Sequence, residues 1–334
     1  MSSMQPFGAA MSRRRFFVTL GCVGAAAAVA PRRLLAGDPS VGGVALDALD
    51  AIDALGPVQM IRSAATTDPI RVEPLRGNLR VLSGSGGNIA ALPGRDGVLL
   101  VDSGIVGSKV AAAVTTFSAV PVRHVINSHW HFDHTDANAW LHARGASILA
   151  QETTRARLMR DTRVDDWDFT FPRSPAGALP ATTFRDEHEL TLNGARVALR
   201  RYEPAHTDCD IAVHFTDADV LHVADTWWNG VYPFIDYSTG GSIDGMIRAT
   251  ERNLGVASAT TIIIPGHGDV GDREALRRWR DMLVGVRDRV AALKSQGRSV
   301  DETVAAKPTA PFDAAYDNPL IGADFFTRLV YKGV

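Results

Sequence analysis

The stretch His-Trp-His-Phe-Asp-His-Thr-Asp, from His129 to Asp136, packs three histidines and two aspartates into eight residues. It follows the apolar run from Val122 to Ile126, which reads as a strand. In an extended segment His129 and His131 point to one side, while Asp133 and His134 fall just beyond, where the chain turns toward a helix. Imidazoles and carboxylates gathered this closely without a cation must find other hydrogen-bond partners or lose hydration at a cost. Metal binding is therefore the reading that constrains the chain most, because the fold must end a core strand at a polar site.

The surrounding pattern is mixed α/β, with helices packed outside sheets. Strands are expected at Leu79 to Leu82, Ile89 to Leu92 and Val98 to Val101, with the turn Pro93 to Gly97 before the third. Helical spacing runs from Val106 to about Phe117 and from about Asp136 to Ala143, and a strand from Ser147 to Ala150. Asn193-Gly194 and Asp217-Ala218 read as tight turns. Further on come a helix from Ile243 to Leu254, a strand from Thr261 to Ile264 and a long helix from Arg273 to about Lys294. A short helix is expected around Leu46 to Leu55.

With 334 residues, 46% of them hydrophobic, the chain can bury a sizeable core. The formal net charge of -2 and the even spread of Lys and Arg argue against a nucleic-acid partner. At the N-terminus, Arg13, Arg14 and Arg15 precede an apolar run from Phe16 to Ala30 and then small residues, the layout of a cleaved export signal. Ser12-Arg13-Arg14-Arg15-Phe16-Phe17 resembles the twin-arginine motif, which implies export by the twin-arginine (Tat) machinery in a folded state and a periplasmic or secreted location. The apolar run is too short for a stable membrane anchor. Residues 1-36 are read as the signal, 37-74 as an N-terminal extension and 75-334 as one catalytic domain with a C-terminal helix and tail. After removal of Cys22 with the signal, Cys209 is the single cysteine, so no intrachain disulfide is expected.

The sequence His129-Trp130-His131-Phe132-Asp133-His134 resembles the HxHxDH signature of the metallo-β-lactamase superfamily. Four further elements follow that family's order: Asp102 in LLVDSG, His206 in PAHTDCD, Asp225 in VLHVADTWWNG and His267 in IIIPGHGD. The resemblance implies an αββα sandwich with a dinuclear metal site at the edge of its two sheets. It further implies that His129, His131 and His206 bind one metal, that Asp133, His134 and His267 bind the other, and that Asp225 bridges them. Asp102 is expected to support the site from behind, and Asp208 and Asp210 are expected either to hydrogen-bond to ligand imidazoles or to shape the turn. Two Zn²⁺ per chain are expected, with Fe or Mn accommodated by the same ligands. Asp133, besides being a ligand, is the expected catalytic residue that orients the nucleophile. His124, His142, His188, His214 and His222 match no family position and are read as strand or surface residues.

The implied activity is hydrolysis of an ester, lactone, thioester or amide, with weak β-lactamase action conceivable. Asp225 stands where the β-lactam-hydrolysing subclass has Cys, His134 where it has Arg, and no Lys follows Asp225 to hold an antibiotic carboxylate. Trp167, Trp227, Trp228, Tyr232 and Phe234 are expected to wall a pocket for a small-molecule substrate with an apolar or aromatic portion. Two alternatives use the same fold: a single-iron oxidoreductase like persulfide dioxygenases, and an accessory protein in the maturation of periplasmic oxidoreductases. Replacing Arg13 and Arg14 by Lys should abolish periplasmic accumulation, read by cell fractionation; continued accumulation would argue against the twin-arginine route.

Overall fold

The computed structural model describes residues 56–334. The expected signal segment and the expected helix around Leu46 to Leu55 lie outside the described residues. The fold is built on two sheets. The first contains β1 (Arg71–Pro74), β2 (Arg80–Ser83), β3 (Ile89–Leu92), β4 (Val98–Val101), β5 (Val122–Asn127) and β6 (Ser147–Gln151). A separate hairpin of β7 (Thr162–Val164) and β8 (Phe169–Phe171) precedes β9 (Thr182–Phe184), which completes that sheet beside β6. The second sheet runs in order through β10 (Glu187–Leu192), β11 (Ala195–Arg201), β12 (Ile211–Phe215), β13 (Val220–Trp228) and β14 (Ile262–His267).

Strand alternation divides the apolar residues between layers. Ala90, Leu92, Leu99, Val101 and Ile126 of the first sheet meet Val197, Leu199, Val213, Phe215 and Ile264 of the second in one cluster. Their neighbours Ile89, Ala91, Val98 and Leu100 face outward, beneath Val110, Ala113, Val114 and Leu141 from helices Gly107–Thr115 and Asn138–His142. Outside the second sheet, Leu221 and Val223 pack with Met246, Trp279, Met282 and Phe326 from helices Ile243–Val256, Arg273–Ser295 and Ala323–Gly333. Helix, sheet, sheet and helix thus form four layers, the expected αββα sandwich.

The turn residues act as expected, and one reaches further. Asn193 and Gly194 join β10 to β11 with φ of 53° and 78°, the left-handed values a two-residue hairpin needs. The Asn193 side chain also donates to the carbonyls of Leu92 and Gly97 and accepts from the Asp96 amide, tying this hairpin to the turn between β3 and β4. Within the segment read as an extension, β1 is an edge strand of the first sheet and Pro57–Thr67 is a helix. Its Val58, Ile61 and Ala65 are buried at helical spacing behind a proline in the first turn, a signal present in the sequence. The helix expected from about Asp136 to Ala143 is observed as Asn138–His142, and a separate helical turn, Phe132–Thr135, precedes it.

The C-terminal segment docks on the sandwich. Phe326 is fully buried and stacks on Tyr232 at 4.7 Å between ring centroids. Tyr232 Oη in turn donates to Asp313 Oδ1 at 2.8 Å. Phe326→Ala should destabilise the protein by about 3–5 kcal/mol, read as a lowered denaturation midpoint; a loss under about 1 kcal/mol would mean the C-terminal helix is not anchored through this ring.

Candidate metal centre

The site lies where strand ends of both sheets meet. Asp102 follows β4, the His129 to His134 stretch follows β5, Asp225 lies near the end of β13, His267 closes β14, and His206 sits in the loop between β11 and β12. Parallel pairing of β4 with β5, and of β13 with β14, sends these ends out on one edge. Close approach is made possible by glycine: a Cβ on Gly266 would lie 1.9 Å from Asp225 Oδ1, and one on Gly87 would lie 2.2 Å from the His134 ring. Beside them, Asp102 and Ala224 hold left-handed φ values of 69° and 46°. Conformations of this kind are uncommon for residues with a side chain and cluster at functional sites.

Two donor groups form. His129, His131, His206 and Asp225 make one, and Asp133, His134 and His267 the other, with ligand-type atoms within 4.8 Å of one another in each. Asp225 reaches both: its Oδ2 lies 3.3 Å from His206 Nε2 and 3.4 Å from His267 Nε2, and its Oδ1 lies 3.1 Å from His134 Nε2. Asp133 Oδ2 is 3.3 Å from His267 Nε2. All seven side chains are buried, Asp133 being the most exposed at 6%.

The outer nitrogens of four of the imidazoles are held from behind. His134 Nδ1 lies 2.8 Å from Asp102 Oδ2, and His131 Nε2 lies 3.0 Å from Asp236 Oδ2. His129 Nδ1 contacts Ser128 Oγ at 3.0 Å, and His206 Nδ1 the Phe234 carbonyl at 2.9 Å. Ser128 Oγ itself donates to Asp102 Oδ2, so one carboxylate orients two histidines. Facing inward, His129 Nε2, His134 Nε2, His267 Nε2 and Asp225 Oδ1 are buried with no hydrogen-bond partner. Buried polar atoms are rarely left so, and this arrangement fits divalent metal ions held by oriented imidazoles and carboxylates.

The electrostatics agree. Burial opposes the charge on Asp225, yet His267, His134 and His206 hold its carboxyl well below the ordinary range. Burial likewise opposes charge on His267, but Asp225 and Asp133 lift it to about 9. His134 is raised well above its ordinary value against burial, by Asp225, Asp133 and Asp102. Burial lowers His206 to about 4 and His129 well below its normal value. The imidazole-rich half already holds neutral ligands, whereas the carboxylate-rich half favours positive charge on His134 and His267, protons that a bound cation would displace.

The family model for the "Metallo-beta-lactamase superfamily" matches residues 83–293. The chain belongs to the metallo-β-lactamase superfamily. Among solved structures of this fold, the DIM-1 metallo-β-lactamase aligns with a TM-score of 0.53 at 18% identity, covering 64% of this chain and 97% of that one. A double mutant of the sec-alkyl sulfatase PisA1 aligns at 0.59 and 15% identity, covering 86% of this chain and 54% of that one. A curated relative, the 2,4-dinitroanisole O-demethylase subunit alpha of Nocardioides sp. (strain JS1661), is 29% identical over 201 residues, 58% of this chain. The chain spans 56% of that relative's length.

The geometry decides between the two roles left open for Asp208 and Asp210, and it corrects two of the expected pocket residues, Tyr232 and Trp227. Asp208 does not touch an imidazole; it pairs with Arg157, with its Oδ2 2.5 Å from Nη2. Asp210 accepts from the Thr207 amide and hydroxyl and so shapes the turn instead, its carboxyl pushed up by burial to about 7. The residue that orients His131 is Asp236, which the sequence reading missed because it is remote in sequence from every histidine of the site. Among the aromatics, Trp167, Phe234 and Trp228 adjoin the histidines. Tyr232 and Trp227 do not: Tyr232 is committed to Phe326 and Asp313, and Trp227 packs toward Gly271. Cys209 is a buried thiol beside Thr207, its pKa raised by burial, and His222 hydrogen-bonds to the Asn88 carbonyl.

His131→Ala and Asp225→Ala should each lower metal content, read by elemental analysis of purified protein. Asp236→Ala should weaken metal affinity about 10- to 100-fold in a chelator competition, while Asp208→Ala leaves it unchanged. Equal effects of Asp236→Ala and Asp208→Ala would remove the distinction drawn between them.

Proposed function

We propose that this protein is an exported, metal-dependent hydrolase that adds water to an electrophilic carbon of a small organic molecule and expels an oxygen, sulfur or nitrogen leaving group. The observation that carries the reading is the pair of complete donor groups sharing Asp225. His129, His131 and His206 would hold one metal, and Asp133, His134 and His267 the other. Divalent metals there supply Lewis acidity and make water nucleophilic near neutral pH. Zinc is the metal we assign, on the strength of the imidazole and carboxylate donors.

The chain's own residues do the rest. Asp102 and Asp236 fix the His134 and His131 rings so that their inner nitrogens face the centre. Asp133, the most exposed of the seven, would orient the attacking water and hold a proton at its carboxylate. The surrounding indoles and phenyl rings exclude bulk solvent, which strengthens each electrostatic contact. The completeness of the Asp133, His134 and His267 group supports two metals over the single iron of an oxidative relative. The O-demethylase relative widens the substrate range from esters, lactones, thioesters and amides to aryl methyl ethers made electrophilic by nitro groups. Such an ether and water would yield a phenol and methanol, with no oxidant consumed.

The test is elemental analysis of the mature protein beside a hydrolysis panel of nitrocefin, aryl esters, lactones, thioesters and 2,4-dinitroanisole. We expect about two metal ions per chain and turnover on one bond class that is lost with chelator and restored by zinc. About one iron per chain without hydrolysis would overturn the reading.

A further inference from the structure

Building on the hydrolytic reading of the metal centre, we propose that Trp228, together with Trp167, Phe234 and Phe325, forms a binding subsite for an aromatic group bearing a hydrogen-bond acceptor. The acceptor would receive the indole N–H of Trp228.

Trp228 is the last residue of β13 and stands opposite His267 of β14. Its ring centroid lies 4.2 Å from that of His267 and 6.3 Å from that of His206, so it borders both donor groups. It is 97% buried, and its Nε1 has no hydrogen-bond partner. A buried indole N–H usually finds an acceptor, so one left free beside a metal centre calls for an acceptor on a ligand. Trp227 Nε1 is also unpartnered. Strand alternation turns its ring to the opposite face, against Gly271 and away from the histidines.

A second wall faces His131 and His206. Trp167 and Phe234 are stacked at 4.5 Å and 27°, with centroids 5.9 Å and 6.3 Å from His131. Phe234 is also 6.1 Å from His206, the histidine that Trp228 adjoins at 6.3 Å. Phe325 extends the row, parallel to Phe234 within 20° at 6.5 Å, and it is only partly buried. It comes from the C-terminal helix, beyond residue 293 where the family match ends. Offset-stacked rings of this kind grip a planar aromatic group better than an aliphatic one. The guanidinium of Arg62 lies over Phe132, Phe169 and Phe171 and is paired with Asp136. Within the centre, exposure is highest at Asp133 and at His267, the histidine on which the Trp228 ring packs.

The test is calorimetric titration of the zinc-loaded protein with three matched probes: 4-nitroanisole, 4-methylanisole and 1-methoxy-4-methylcyclohexane. The wild type should bind them in that order of affinity. Trp228→Phe, which keeps a ring and removes the N–H, should weaken 4-nitroanisole roughly fivefold and leave 4-methylanisole unchanged. Phe325→Leu should weaken both arenes and leave the cyclohexane unaffected. Zinc content of each variant shows that the centre is intact, and Trp228→His, which restores an N–H, should recover part of the lost preference. An unchanged preference for the nitro probe in Trp228→Phe, equal binding of arene and cyclohexane, or no binding of any probe would overturn the proposal. If the binding pattern holds while the hydrolysis panel shows no turnover, the hydrolytic reading fails and the subsite stands. If turnover occurs with the pattern absent, the reverse holds.

Discussion

Burying two carboxylates among five imidazoles is unfavourable unless cationic charge shares the same space. Most local features around the centre serve that requirement. Glycines at 87 and 266 remove the side chains that would obstruct His134 and Asp225. Ala224 accepts a left-handed conformation where β13 shifts register against β14, immediately before Asp225. Asp102 holds His134 directly and His129 through Ser128. The apolar layers give these groups a rigid frame, since helices close the outer face of each sheet and leave one strand-end edge for chemistry.

Much of this was legible in the sequence because it is local. The HxHxDH stretch carries four ligand-type residues in six positions, and the end of an apolar strand already dictates where they point. His206, Asp225 and His267 were readable only through the resemblance of their short motifs, taken in order, to the family's pattern. Asp236 was not, because only the chain's return past His131 gives it a role, and no spacing in the sequence encodes that return. For Asp208 and Asp210 the sequence left two roles open, because adjacency to His206 does not by itself place a carboxylate behind its ring; Asp210 takes the turn-shaping one.

The aromatic residues teach a related lesson. Trp227 and Trp228 are neighbours in one strand, so period-two alternation alone sends one to the core and the other to the metal centre. Tyr232 and Phe234 lie in the irregular segment after β13, where no period applies. There the docking of Phe326 decides that Tyr232 belongs to the C-terminal helix. The helix Pro57–Thr67, by contrast, had a readable pattern of buried positions and a proline at its start.

Both sheets contribute to each donor group. His129, His131, Asp133 and His134 come from the first sheet, whereas His206, Asp225 and His267 come from the second, and each group draws on both. A metal held in either position would be a clasp across the sandwich as well as a reagent. Sliding one sheet over the other would separate the ligands of both groups at once. Metal concentration would then control how often the sandwich opens, through binding energy released only when both sheets are in place.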